Sequence, residues 1–197
     1  MRGSMRVAPH GGLASARTLP TFPRMPKPHE IFALMPAETA TKLFHFLTET
    51  EKPLYKATID TLAKQRKLRP VFVERKPRTE RNTWLKDTLS RKQSEAVAAH
   101  LLQIWLVGEH KQLLCDFLDA LNITHDADGT IEALPPCPPK EDLVRAIDTV
   151  LTKHDPAIVS VYLQAFQATN DDGWTALTEI LATDERLRFG TPTRAAA

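Results

Sequence analysis

Residues 95–107 read EAVAAHLLQIWLV, and this stretch decides the fold class. Wound as an α-helix, it carries apolar side chains on most of its sides instead of along one stripe. These side chains are Val97, Ala98, Leu101, Leu102, Ile104, Trp105 and Leu106. A helix with so little polar surface is normally surrounded by other helices. The stretch therefore predicts a protein in which amphipathic helices pack around a central one.

Segments on both sides of this stretch supply the surrounding helices. Apolar residues recur at helical spacing after Pro36, Thr50 and Thr79, and again in the segments that begin near Lys111, Lys140, Pro156 and Asp171 or Asp172. The clearest start signal is Asp155 followed by Pro156, since aspartate is a favoured N-cap and proline suits the first helical position. Thr50, Thr79 and Ser94 are further candidate N-caps. With the central stretch, about eight helices are predicted. The fold class is all-α, either a multi-helix bundle or a short solenoid-like array.

Two segments interrupt the helical pattern. The basic stretch around Val71, Phe72 and Val73 reads as an extended link, and Phe72 is predicted to be buried there. Residues 123–132 read as a small β-hairpin, with its turn at residues 126–129 and Gly129 supplying a positive φ.

The length of 197 residues favours one domain. Residues 1–28 contain no acidic residue and no hydrophobic periodicity, so they are predicted to be a disordered basic tail, although their composition also resembles a targeting segment. Residues 29–188 are predicted to form a single helical domain, and residues 189–197 a flexible tail. Within the domain, 36–67 reads as a helical hairpin, and 79–121 and 140–183 as two three-helix units. Whether these two three-helix units arose by internal duplication stays open.

Charge divides the chain into halves of opposite sign. Residues 1–92 hold 19 Lys and Arg against 8 Asp and Glu, a net charge of +11, whereas residues 93–197 hold 7 against 16, a net charge of −9. The densest cluster is residues 64–92, with 11 basic and 3 acidic residues and a net charge of +8. Such clusters attract polyanions because phosphate neutralisation releases condensed counterions. The candidate polyanion-binding residues are Lys64, Arg66, Lys67, Arg69, Arg75, Lys76, Arg78 and Arg81.

Chemical motifs are sparse. The histidines are dispersed without paired ligand spacing, and there is no Gly-rich phosphate loop or G-x-S-x-G elbow. The turn at 124–132 resembles part of a calcium loop, but Thr124 and Pro135 stand where carboxylates are required. We therefore predict no catalytic residue, metal or cofactor. Cys115 and Cys137 make no disulfide framework, and no apolar run is long enough to span a membrane, so a cytoplasmic protein is predicted.

The preferred functional prediction is a non-enzymatic helical protein that acts as an interaction scaffold or adaptor for another protein. The alternative is a nucleic-acid-binding protein that uses residues 64–92, with Phe72 or Trp84 stacking on a base if either ring is exposed. The opposite charges of the two halves also allow a homo-oligomer in which one half attracts the other half of a second copy.

Overall fold

The computed structural model describes residues 25–170 and 173–189. These residues form ten α-helices and two short 3₁₀ turns, at Lys92–Ser94 and Glu185–Leu187, and contain no β-strand. The helices are α1 (Pro28–Leu34), α2 (Ala37–Glu49), α3 (Lys52–Gln65), α4 (Pro70–Glu74), α5 (Arg78–Leu89), α6 (Glu95–Glu109), α7 (Lys111–Ala120), α8 (Lys140–Lys153), α9 (Pro156–Thr169) and α10 (Thr175–Thr183). The all-α prediction is confirmed.

Helix α6 lies in the interior, as its apolar sequence predicts. Its Leu101 and Trp105 side chains are fully buried. Helices α1, α2, α5, α7 and α9 all pack against it. Trp105 also satisfies its polar edge, because its indole Nε1 donates a hydrogen bond of 2.6 Å to Glu109 Oε2 one turn later. The continuous apolar run is therefore explained by neighbours on several sides.

A cluster of aromatic rings joins the second half of the chain. The ring centroid of Phe117 on α7 lies 5.6 Å from Tyr162, 6.1 Å from Phe166 and 6.5 Å from Trp174. Trp174 is fully buried, and its indole Nε1 donates a hydrogen bond of 3.0 Å to the Pro135 carbonyl. Phe117 therefore connects α7, α9 and the start of α10.

Helix α1 was not predicted. Pro28 lies in its first turn, and the Glu30 carboxylate accepts a hydrogen bond of 2.8 Å from the backbone N–H of Lys27. Its Ile31 and Phe32 side chains are fully buried against α5, α6 and α9. The spacing of Ile31, Phe32 and Met35 is helical, but seven residues are too few for periodicity to stand out.

Helix α4 corrects the prediction of an extended link. Pro70 starts a single helical turn, which places Val73 inward at 1% exposure and leaves Phe72 58% exposed. The prediction that Phe72 is buried is wrong, because so short a helix turns only one side to the interior, and Val73 occupies that side.

The predicted hairpin at 123–132 is also corrected. The segment contains a tight turn, in which the N–H of Gly129 bonds the Asp126 carbonyl at 2.9 Å and Gly129 has the expected positive φ of 78°. The flanking residues do not continue into strands. Instead, the N–H of Ile123 bonds back to the Leu118 carbonyl at 2.9 Å, which ends α7.

The N-cap residues predicted from the sequence are confirmed in part. Asp155 caps α9, since its carboxylate accepts a hydrogen bond of 2.9 Å from the N–H of Ala157. Ser94 stands at the N-cap of α6, but its hydroxyl donates to Gln65 Oε1 at 3.0 Å instead. Thr50 and Thr79 do not cap α3 and α5, which begin at Lys52 and Arg78.

The predicted tails lie largely outside the described residues. Of the basic tail 1–28, the described part is Met25 to Pro28, where Met25 packs against the core and Pro28 opens α1. Of the tail 189–197, only Phe189 is described, and it also packs against the core. The two aspartates proposed to start the last helix fall outside the description, and α10 begins at Thr175. Across the described residues, no helix combines the length and the apolar character needed to traverse a bilayer.

Candidate macromolecular interface

The candidate interface lies at the corner where α3, α4 and α5 meet. Helix α3 ends in a Schellman motif: the N–H of Leu68 bonds the Ala63 carbonyl at 2.8 Å, and the N–H of Lys67 bonds the Lys64 carbonyl at 3.0 Å. Lys67 takes the left-handed conformation, with φ of 56°, where glycine is usual. This turn directs the chain into Pro70 and α4. The eight predicted basic residues therefore lie on α3, on α5 and on the two connections that join these helices to α4.

Three large apolar side chains are exposed within this corner. Leu68 is 41% exposed, Val71 38% and Phe72 58%. We call them the apolar trio. The other exposed large apolar residues among those described, Leu34 and Val144, lie on α1 and α8. Single exposed apolar residues are ordinary on a protein surface, but a group within five residues is typical of a binding surface.

The eight basic residues fall into two sets. Three have partners within the described chain: the Lys76 ammonium lies 3.3 Å from Glu80 Oε2, the Arg78 guanidinium 2.8 Å from His45 Nδ1, and the Arg81 guanidinium donates to the Glu74 carbonyl at 3.0 Å. The other five have no carboxylate within ion-pair distance in the described residues; they are Lys64, Arg66, Lys67, Arg69 and Arg75. We call these five the unpaired cations.

Arg81 has a mainly structural setting. Its guanidinium carbon lies 5.9 Å from the centroid of the Tyr55 ring on α3, which fits a cation–π contact. The same side chain bonds the Glu74 carbonyl at the end of α4. Arg81 therefore ties α3, α4 and α5 together and is less available to a partner than the unpaired cations.

The acidic half does not neutralise this corner. The described pairs that cross between the halves join Lys42 to Asp155 at 2.9 Å, and Lys27 and His29 to Glu95 at 3.7 Å and 3.1 Å. None of them involves residues 64–92. In the described residues, no carboxylate beyond position 92 lies within ion-pair distance of a basic residue in 64–92. The positive charge of the corner is therefore directed to solvent.

A second group of titratable side chains lies where the α6–α7 and α8–α9 junctions meet. The His110 ring packs edge to face on Trp105 at 4.7 Å, and its Nε2 is buried without a hydrogen-bond partner in the described chain. Nearby, His154 Nε2 lies 2.8 Å from Asp116 Oδ2. Burial alone would raise the pKa of Asp116, but hydrogen bonds from His154 and Gln112 and the charge of Lys153 lower it. These contacts therefore favour the ionised form of the Asp116 carboxyl group.

His110 makes stability depend on pH. Burial lowers the pKa of His110 below its usual 6.5, so the unfolded chain binds the proton more readily than the folded one. The stabilisation associated with neutral His110 is complete above pH 6.5 and is lost as the pH falls toward the folded-state pKa.

As the pH falls from about 7.5 to about 5, we expect the wild type to lose more unfolding free energy than the His110→Phe variant, because the variant lacks this histidine. Urea unfolding of both proteins at several pH values measures it. A difference for His110→Phe that is independent of pH would contradict the assigned burial.

In the turn that resembles a calcium loop, the Asp128 carboxylate accepts hydrogen bonds from a residue of the turn itself. Asp128 Oδ1 accepts hydrogen bonds from the hydroxyl of Thr130 at 2.7 Å and from its N–H at 3.0 Å, and these bonds lower the pKa of Asp128. His125 lies 3.1 Å from Asp119 Oδ1. Over the described ranges, no group of three or more His, Cys, Asp or Glu side chains is arranged to hold a metal ion. Cys115 and Cys137 are free, half-buried thiols.

Comparison of the chain with protein-family models, with curated proteins and with solved structures found no significant match. The geometry of the described residues is therefore the basis for a functional proposal.

Proposed function

We propose that the protein is a non-enzymatic interaction scaffold that binds another protein through residues 64–81. The observation that carries the proposal is the exposed apolar trio among the unpaired cations. The matching partner is a segment that combines acidic and large apolar side chains. We place this activity in the cytoplasm, a location supported by the two free thiols.

The apolar trio can contribute favourable free energy to binding. Its exposed surface interacts with water in the free protein, and covering it with a partner's apolar side chains yields roughly 25 cal/mol per Å² of apolar area removed from water. Phe72, with the largest exposed fraction of the three, is the natural anchor, since aromatic residues are enriched at the centres of interfaces. Leu68 and Val71 extend the apolar contact beyond a single ring.

The unpaired cations supply selectivity. A surface on which five cations have no ion-pair partner among the described residues steers acidic partners toward it and repels basic ones. Because these side chains are largely exposed, their main effect is expected on the association rate and its dependence on salt. The apolar trio then determines how slowly the complex dissociates.

Lys67 adds a further reason to see this corner as functional. A side chain in the left-handed region costs about 1 kcal/mol compared with glycine, which is the usual residue at this place in a Schellman motif. Local stability alone would favour glycine at position 67. The lysine instead retains a cation at the centre of the basic segment, and strained conformations concentrate at binding sites.

The test is a comparison of two double variants. Leu68→Ser with Phe72→Ser removes most of the apolar trio, and we expect it to lower the recovery of specific partners at least about tenfold in affinity capture from a host lysate, since hot-spot residues each contribute about 2 kcal/mol or more. Leu34→Ser with Val144→Ser changes comparably exposed apolar residues elsewhere and is expected to leave recovery unchanged.

Equal recovery of the same proteins by the wild type and both double variants would contradict the proposal. Sedimentation velocity at low and high salt, on the same samples, tests whether the partner is a second copy held by the opposite charges of the two halves.

Nucleic-acid binding is the second candidate, favoured by the exposed Phe72 ring in a basic surface. Single strands bind such surfaces by backbone charge and by base stacking on aromatic rings. Phe72→Leu separates the two functions, since leucine preserves apolar burial but cannot stack. If the site is for nucleic acid, Phe72→Leu weakens binding of a single-stranded RNA by about 1 to 3 kcal/mol. An absence of RNA binding by the wild type at low salt would eliminate this candidate.

A further inference from the structure

A cleft lies between α6, α7 and α9, and none of its described lining residues belongs to the basic segment 64–92. Its volume is about 540 Å³, and the turn that contains Gly129 and Ile131 closes one side. Leu102, Leu106 and Leu118 contribute to its apolar walls. Pockets of this volume with mainly apolar walls are typical of small-molecule sites.

Tyr162 places a hydrogen-bonding group in these apolar surroundings. The side chain lines the cleft and is 4% exposed, and its ring packs edge to face on Phe117 at 5.6 Å. Its hydroxyl makes no hydrogen bond to another described residue, and its oxygen is not sealed from solvent, so it can be reached from the cleft. Burial raises the pKa of Tyr162 far above its usual range, so the hydroxyl stays protonated and can donate. A hydroxyl that faces the cleft can donate a hydrogen bond to a polar group of a ligand.

Among the described residues, the lining contains no Asp, Glu, Lys or Arg, and its His100 side chain lies at an exposed position on α6. Two of its polar side chains already have partners, because the Thr130 hydroxyl donates to Asp128 at 2.7 Å and the Asn170 amide donates to the Phe166 carbonyl at 2.7 Å. A charged ligand would lose its hydration without gaining a counter-ion, at a large cost in free energy. The lining therefore favours an uncharged ligand.

We propose that this cleft binds a neutral, largely apolar small molecule whose polar group hydrogen-bonds the Tyr162 hydroxyl. The site is separate from residues 64–81, so it neither requires nor excludes the interface proposed above.

Three related probes test this proposal: 1-naphthol, naphthalene and 1-naphthoate share one ring system and differ in the polar group. Titration into the isotopically labelled protein, followed by amide chemical shifts, gives an affinity for each. We expect 1-naphthol to bind more tightly than both others and to shift the amides of Gly129 and Thr130. Tyr162→Phe is expected to weaken 1-naphthol by about three- to tenfold, the usual contribution of one hydrogen bond, and to leave naphthalene unchanged.

A second variant keeps the test independent of Tyr162. Ala99 lines the cleft but is itself exposed, so Ala99→Trp fills the cleft without disturbing the interior. It is expected to abolish the binding of 1-naphthol, whereas Ala37→Trp, at an exposed position on α2 outside the cleft, is expected to preserve it. The proposal is overturned if the wild type binds no neutral probe, if 1-naphthoate binds as tightly as 1-naphthol, or if Ala99→Trp binds like the wild type.

Discussion

Phe117→Ala is expected to lower the free energy of unfolding by about 3 to 5 kcal/mol, the usual cost of removing a fully buried aromatic ring from a core. Phe117 is 0% exposed and its ring contacts those of Tyr162, Phe166 and Trp174, which come from α9 and the start of α10. Its loss therefore leaves a cavity between three helices that cannot collapse without moving one of them. Urea unfolding followed by circular dichroism measures the change.

Phe72→Ala is the matched control, because it deletes the same side chain from a position that is 58% exposed. It is expected to change the free energy of unfolding by less than about 0.5 kcal/mol, as surface substitutions usually do. Similar losses for the two variants would contradict the assignment of Phe117 to the core and of Phe72 to the surface.

Gly129→Ala is expected to destabilise the protein by about 2 to 4 kcal/mol, from left-handed backbone strain together with overpacking. Gly129 has φ of 78°, and a Cβ added there would lie 2.4 Å from Leu114 Cβ and 3.2 Å from the backbone nitrogen of Cys115. Both atoms belong to α7, so relief requires movement of the helix. Thermal and urea unfolding measure the loss.

Gly108→Ala is the control for this substitution. Gly108 lies within α6, and an added Cβ would meet Cζ at the far end of the half-buried Phe46 ring, 2.7 Å away. That ring can move aside, and alanine favours the helix by about 1 kcal/mol, so the net change is expected to be small. An equally large loss for Gly108→Ala, or no loss for Gly129→Ala, would contradict the role of the turn.

Helical periodicity predicted the fold class because it reports burial over long segments. The run at 95–107 requires neighbours on several sides, and Trp105 is fully buried among them. Short helices escaped prediction for the same reason: seven residues at Pro28–Leu34 and five at Pro70–Glu74 contain too few turns to show a period. The hairpin was predicted from a turn signal that is present, but strands also need pairing partners, which a local sequence does not specify.

The candidate interface was predictable only in its charge. Composition identifies the basic segment, but which cations are unpaired depends on distant residues. Arg78 meets His45, 33 positions earlier in the chain, and Arg81 lies over Tyr55. The exposure of Phe72 was missed because three apolar residues in a row suggest burial. Pro70 is the signal that could have corrected it, since proline commonly occupies the first position of a helix.

The cleft at Tyr162 lay beyond sequence analysis altogether. Its walls come from α6, α7 and α9, and helical spacing assigns most of those residues to a core without showing where the core is open. The access of the Tyr162 hydroxyl to the cleft is likewise a property of the packed molecule.

The central claim is that residues 64–81 bind an acidic, apolar segment of another protein. Selection of random peptides displayed on phage tests it most directly, with counter-selection against the Leu68→Ser, Phe72→Ser double variant. The account predicts that the enriched peptides combine Asp or Glu with large apolar residues and that they bind the wild type but not the double variant. Enriched peptides without acidic residues, or peptides that bind both proteins equally, would contradict it.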